Sequence, residues 1–188
     1  KNFAKQLASL GEIYINDAFS CSHRVQASIH KITQFIKYSY AGPQLKKEVE
    51  AINLIIRNKK EPVTCIIGGS KISTKISVIS ALMQNVDNII VVGAMANNFL
   101  VYKGFKTGKS LLEKNSKKII DKIYADAAKY NCKIIVPLDC RVSVSFDGSG
   151  KLKKLNEINK DEIILDIGPE TIKKIEELTS SASSIEEK

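Results

Sequence analysis

Val63-Thr64-Cys65-Ile66-Ile67-Gly68-Gly69-Ser70-Lys71-Ile72-Ser73-Thr74-Lys75 is the stretch that decides how this chain folds. Its first five residues are apolar or β-branched without alternation, the pattern of a strand buried on both faces. The two glycines turn the chain. Ile72, Ile76, Ile79, Leu82 and Met83 then recur at helical spacing, which predicts a helix over 71–84 that starts near Ser70. A strand that turns on glycines into a helix lets the backbone come close to a bulky ligand. It also presents unpaired N–H groups and a partial positive charge to anions. On such a helix Lys71 and Lys75 share one face, four residues apart. The spacing is neither a Walker A loop nor Gly-x-Gly-x-x-Gly. Taken alone, the segment is equally an ordinary connection with two solvated lysines and a phosphate site.

The same alternation continues on the C-terminal side. Ile89–Val92, Ile134–Val136 and Ile163–Ile167 read as further buried strands, with helices near 94–103 and 116–130 between the first three. Strand–helix alternation implies a parallel sheet. Val142, Val144 and Phe146 alternate ahead of the turn Asp147-Gly148-Ser149-Gly150, so a small excursion of strands is predicted there. A helix follows Gly168-Pro169. Residues 180–188 are rich in serine and charge and read as a frayed or disordered tail. Gly68-Gly69, Gly93-Ala94 and Pro137-Leu138-Asp139 all fall at carboxyl ends of predicted strands, where α/β sheets bind ligands. Their convergence favours a nucleotide site.

On the N-terminal side, Phe3, Leu7 and Leu10 have helical spacing and Gly11 is a stop. Ile13-Tyr14-Ile15 reads as a short strand, and residues 18–40 carry no clear period. Pro43 is well placed as a first helical residue. Leu45, Val49, Ile52 and Ile56 line one face of a helix that ends before Lys59-Lys60-Glu61-Pro62. The expected organisation is therefore α/β. Residues 1–41 are the tail of one domain, and the helix at 43–58 leads into most of an α/β domain.

Composition bounds the function. The 188 residues are 44% hydrophobic, which is globular, and the first is Lys1, as expected of a piece cut from something longer or of a processed chain. No apolar run approaches the roughly 20 residues of a membrane span, and the N-terminal segment has no signal-peptide pattern. Cys21, Cys65, Cys132 and Cys140 form no C-x-x-C pair, which fits reduced thiols in the cytoplasm. The net charge of +9 comes from lysines dispersed among glutamates, without interleaved aromatics. That argues against a nucleic-acid-binding module and for solvated surface.

Several short motifs carry a resemblance. Ile15-Asn16-Asp17-Ala18-Phe19, Ser22-His23-Arg24 and Gln26-Ala27-Ser28 resemble the N-D-A-F-x-x-x-H-R-x-x-A-S stretch of the phosphoglycerate kinase family. Ala41-Gly42-Pro43 opening a long helix resembles that family's interdomain helix. Gly68 to Lys75 is similar to its nucleotide-phosphate segment. Val92-Gly93-Ala94-Met95-Ala96, Gly108-Lys109-Ser110-Leu111 and Leu165-Asp166-Ile167-Gly168 follow in family order, and the bacterial form fits best. The match runs to about residue 178.

The resemblance implies a two-domain glycolytic phosphotransferase that closes on a hinge, with residues 1–41 the C-terminal end of its acceptor domain, 42–60 its interdomain helix and 61–179 the first part of a Rossmann-like, three-layer nucleotide-binding domain. It moves a phosphoryl group between 1,3-bisphosphoglycerate and ADP, giving 3-phosphoglycerate and ATP. Carried over by position, Arg24 binds the acceptor, Lys71 stabilises the transferring phosphoryl and Lys75 holds nucleotide phosphates. Gly69, Ser70, Gly93 and Ala94 border the nucleotide. Mg2+ enters with ADP or ATP, its protein ligand lying outside this chain. The full-length enzyme is expected to be a cytoplasmic monomer without nucleic-acid or membrane partners. Ser20 and Ala94 stand where the family usually has glycine, and Ala94 is expected to crowd the adenine pocket slightly. The family's N-terminal half, its W-N-G-P segment and its G-G-G-D-T loop are absent from these 188 residues. The expectation is thus a fragment inactive alone, the alternative a non-catalytic nucleotide- or anion-binding remnant. Cys21 and His23 lack an activating third group and read as an inert thiol and a support for Arg24 or for the domain interface. Asp139 and Asp166 read as helix caps or ion-pair partners ahead of catalytic carboxylates.

Overall fold

The computed structural model describes residues 2–57, 62–181 and 184–187. It divides into two compact units, Lys1–Asn58 and Lys59–Lys188.

The first unit opens with α1 (Asn2–Ala8), which buries Ala4 and Ala8. The helix expected from Phe3, Leu7 and Leu10 is present, but Phe3 and Leu10 are exposed, so the spacing identified the wrong face. Strand β1 (Ile13–Asn16) pairs in parallel with β2 (Tyr38–Ala41), Ile13 lying opposite Tyr38. Between them, the stretch without a sequence period is a series of tight turns: 3-10 turns at Phe19–Cys21 and Ile32–Gln34 flank a π turn at Ala27–Lys31. Helix α2 (Pro43–Arg57) begins at the predicted proline and groups with this unit. Asp17, just past β1, accepts the Leu45 N–H at 2.9 Å and so caps α2 from a distance. Gly42 presses on the Asp17 side chain where any Cβ would collide. The predicted helix stop at residues 59–61 lies outside the described residues.

The second unit is built on a parallel sheet. It contains β3 (Val63–Ile67), α3 (Ile76–Leu82), β4 (Asn88–Val91), α4 (Ala94–Tyr102), α5 (Lys117–Lys129) and β5 (Lys133–Ile135). β3 pairs with β4, and β4 with β5, all in parallel. The predicted strand positions hold to within a residue. Val63, Cys65, Ile67, Ile89 and Val91 face one core with Ile79, Met83, Phe99, Leu100, Ile120 and Ile123 from the helices. At roughly 25 cal/mol per Å² of apolar surface, this burial is the main favourable contribution to folding of the unit.

Two expectations change. Ile163–Ile167 forms β8, but it does not join the parallel sheet as a strand buried on both faces. It lies antiparallel to β6 (Asp139–Ser143), which also pairs with β7 (Lys151–Lys154) in a separate three-stranded sheet. Its residues are half-buried or exposed because one of its faces is open. The predicted excursion is the β6–β7 hairpin, and Val144 and Phe146 lie beyond β6, exposed. The tail differs too. α6 (Pro169–Ser181) runs into it, and β9 (Ser184–Glu187) pairs in parallel with β3, completing the order β5-β4-β3-β9. No helix among the described residues is long and apolar enough to cross a membrane.

Asp139 joins the two layouts. It is 3% exposed. Its carboxylate accepts the N–H groups of Glu170 (3.0 Å) and Thr171 (2.8 Å) and the Thr171 hydroxyl (2.7 Å), capping α6 from the start of β6. Burial pushes this carboxyl up, but the Thr171 and Glu170 hydrogen bonds outweigh it and hold it below 3.8. A carboxyl depressed in the folded state stabilises above its unfolded pKa and loses that contribution as pH falls through its folded value. Asp139→Ala is expected to cost about 2–3 kcal/mol at pH 7, read by urea unfolding. The difference from wild type should shrink below about pH 4.

Candidate functional site

The loops after β3 and β4 meet at the carboxyl edge of the parallel sheet. The Gly69 carbonyl accepts the Met95 N–H at 2.7 Å, and the Ile67 carbonyl accepts the Val92 N–H at 2.9 Å. Gly93 sits at φ +67° and ψ −165°, backbone that side chains rarely adopt. A Cβ there would press on Gly69 N at 3.4 Å. The two glycine loops are therefore fitted to each other before any ligand is considered.

Beside this junction lies a largely apolar cavity of about 190 Å³. Gly93, Ala94, Asn97 and Leu100 form one wall, Pro137 and Cys140 a second, and Phe146 with Ile164–Ile167 a third. Of the residues read from sequence, Gly93 and Ala94 line it, while Gly69, which abuts Gly93, and Ser70, Lys71 and Lys75 do not. Pro137 also lines it, as the convergence of strand ends had implied. Cys140, Asn97, Leu100, Phe146 and the end of β8 were not assigned to a site from sequence. The apolar β8 stretch and the Val142–Phe146 alternation were their only signal. Burial, followed by the nearby Asp139 and Glu162 carboxylates, pushes the Cys140 thiol up to about 11, which makes it an apolar wall and not a nucleophile. Asp166 reaches the cavity rim, but one of its oxygens accepts the Ile167 N–H at 2.8 Å. Among the described residues, no three His, Cys, Asp or Glu side chains gather to hold a metal.

The lysines are arranged differently from the helical reading. α3 begins at Ile76, so Lys71 and Lys75 do not share a helix face. The buried side chain of Ile72 plugs the core ahead of the helix, and a tight turn follows. In it the Thr74 hydroxyl donates to the Lys71 carbonyl at 2.9 Å, and the Lys75 N–H donates to the Ile72 carbonyl at 3.0 Å. Lys75 is the residue that caps α3, and its side chain runs back to lie 4.0 Å from where a Gly69 Cβ would be. Ser70 and Lys71 are exposed. Neither Lys71 nor Lys75 is in an ion pair among the described residues. Glu113, unassigned in the sequence reading, accepts the Ser73 N–H at 3.1 Å. Hydrogen bonds from Ser73 lower its carboxyl most, partial burial opposes them, and the Ile72 N–H and the nearby Lys71 charge lower it further. Arg24 belongs to the first unit, in the turn where its N–H meets the Cys21 carbonyl at 3.0 Å, and it is exposed.

A profile of the phosphoglycerate kinase family matches residues 1–186. The chain belongs to the phosphoglycerate kinase family. It is 47% identical over 185 residues to a phosphoglycerate kinase of Wolbachia pipientis from Culex pipiens, covering 98% of this chain and 46% of that one. It is 39% identical over 186 residues to the phosphoglycerate kinase of Francisella tularensis subsp. novicida, with coverage of 98% and 47%. The solved phosphoglycerate kinase of Coxiella burnetii superposes with a TM-score of 0.79 at 35% identity, over 98% of this chain and 48% of that one. The chain thus spans about half the length of the relatives it matches.

The fit of Gly93 against Gly69 can be tested directly. Gly93→Ala is expected to cost about 1–3 kcal/mol through its backbone conformation. It should also speed hydrogen exchange at the Met95 amide, measured by NMR.

Proposed function

We propose that this chain carries the nucleotide half-site of a phosphoglycerate kinase: the cavity beside Gly93 and Ala94 takes the adenine of ADP or ATP, and Lys75 and Lys71 meet its phosphates. The supporting observation is a juxtaposition. An apolar cavity at the sheet's carboxyl edge adjoins a glycine junction over which the Lys75 side chain lies, and both lysines are free of ion pairs among the described residues. Apolar walls suit a base, and unpaired ammonium groups suit a polyphosphate.

In the reaction proposed for the full-length enzyme, a β-phosphate oxygen of ADP attacks the phosphorus of the acyl phosphate. The P–O bond to the carboxyl group breaks, and its electron pair leaves on the carboxylate. Lys71 would offset the negative charge on the transferring phosphoryl oxygens, and Lys75 would hold the nucleotide phosphates. Mg2+ enters with the nucleotide as substrate. Gly69, Ser70, Gly93 and Ala94 border that nucleotide, and Arg24 binds the acceptor from the first unit. The full-length enzyme would act as a cytoplasmic monomer.

ADP is expected to bind the 188-residue chain weakly, and Lys75→Ala to weaken it by about 1.5–3 kcal/mol, or roughly ten- to 150-fold. Equal affinity of wild type and Lys75→Ala in calorimetric titration would remove Lys75 from the site.

The isolated chain is expected not to catalyse the transfer. Arg24 is the one acceptor ligand carried over, and a lone arginine cannot align donor and acceptor. A coupled assay for ATP formation from 1,3-bisphosphoglycerate and ADP should give no turnover. Rates of about 1–10³ per second that vanish in Lys71→Ala would reverse this expectation.

A further inference from the structure

Apart from the buried Ile72 side chain, the turn that carries both lysines has few ties to the rest of the unit. Gly69, Ser70, Lys71, Ser73 and Thr74 are exposed. Because α3 starts only at Ile76, the Ser73 N–H has no helical partner. It is taken instead by a carboxylate forty residues away, Glu113, at 3.1 Å. Glu113 is itself held. Its N–H donates to Asn98 Oδ1 at 2.9 Å, and two residues earlier the Leu111 carbonyl accepts from Asn97 Nδ2 at 3.2 Å. Asn97 and Asn98 are 3% and 2% exposed, adjacent on α4, and Asn97 also lines the apolar cavity. Buried amides are rarely kept without full use of their hydrogen-bonding atoms, and here they fix the far end of a loop whose start is held by the Lys109 N–H donating to the Glu162 carbonyl and the Ile164 N–H donating to the Ser110 hydroxyl.

We propose that Glu113 is a positioning residue for the lysine turn: held by Asn98, with Asn97 on the cavity wall fixing the chain two residues before it, it pins Ser73 and, with the buried Ile72, sets where Lys71 and Lys75 stand relative to the cavity. The inference rests on the nucleotide reading of that cavity. Its physical content is preorganisation. A turn held before the ligand arrives loses less freedom when phosphates bind. Glu113 bonds to backbone and makes no ion pair with Lys71 among the described residues, so the ammonium stays available. The essential property is the acceptor oxygen, not the charge, and glutamine should replace it.

The test compares Glu113→Ala and Glu113→Gln in the whole chain. ADP and adenosine titrations by calorimetry are run beside amide hydrogen exchange at Ser73 by NMR without ligand. Glu113→Ala should weaken ADP about three- to tenfold, leave adenosine unchanged and speed Ser73 exchange. Glu113→Gln should keep ADP affinity within about twofold of wild type and keep Ser73 protected. Unchanged Ser73 exchange in Glu113→Ala overturns the proposal, as does equal loss of ADP and adenosine. A Glu113→Gln variant that behaves like Glu113→Ala also overturns it. Wild type that binds no ADP removes the nucleotide reading, and the Ser73 exchange rates then decide alone whether Glu113 pins the turn.

Discussion

The hydrogen bond from the Met95 N–H to the Gly69 carbonyl ties the chain's two glycine loops together at the edge of the sheet. One partner follows β3 and the other opens α4. The bond therefore holds only because β3 and β4 run parallel in register, Ile67 opposite Val91, and end at the same level. It also spends one of the N–H groups that the first turn of α4 leaves without helical partners. That end of the helix is thus partly committed to the protein's own backbone. The positive character on offer at this edge comes from lysine side chains, not from an open helix terminus.

The parallel core was legible because its cause is local. Val63–Ile67, Asn88–Val91 and Lys133–Ile135 are short and β-branched, and the residues between them have the period of helices. β8 looked the same by composition, yet it pairs antiparallel with β6 in another sheet. Residue types report burial, while direction and partner depend on where the intervening chain has travelled. The tail failed for a similar reason. Ser184–Glu187 is too polar to suggest a strand, but an edge position beside β3 requires only backbone groups. In the first unit Phe3 and Leu10 had the right spacing and the wrong side, since small Ala4 and Ala8 make the close contact.

For the site, the glycines were readable and the lysine geometry was not. Ile72 is buried, as the helical period required, but it is buried ahead of the helix. A buried isoleucine followed by Ser73 and Thr74 is compatible with either a first helical turn or a plug and a turn. Tertiary partners decide between them. The deciding partner here is Glu113, forty residues away in sequence and outside every motif quoted above. The cavity walls were missed because Phe146, Cys140 and Ile164–Ile167 come from the small antiparallel sheet, whose packing against α4 no local pattern announces.

Cys140 has a consequence for how this chain meets oxidants and alkylating agents. Its sulfur stands in the cavity wall with its ionisation near 11, and Cys65 and Cys132 are buried as well. Thiolate is the reactive form, so at neutral pH the Cys140 sulfur is nearly silent, while burial keeps reagents away from Cys65 and Cys132. Cys21, in the first unit, is the thiol with partial access to solvent. Covalent damage to the folded chain should therefore begin in the unit that holds Arg24 and spare the cavity, until unfolding exposes the rest.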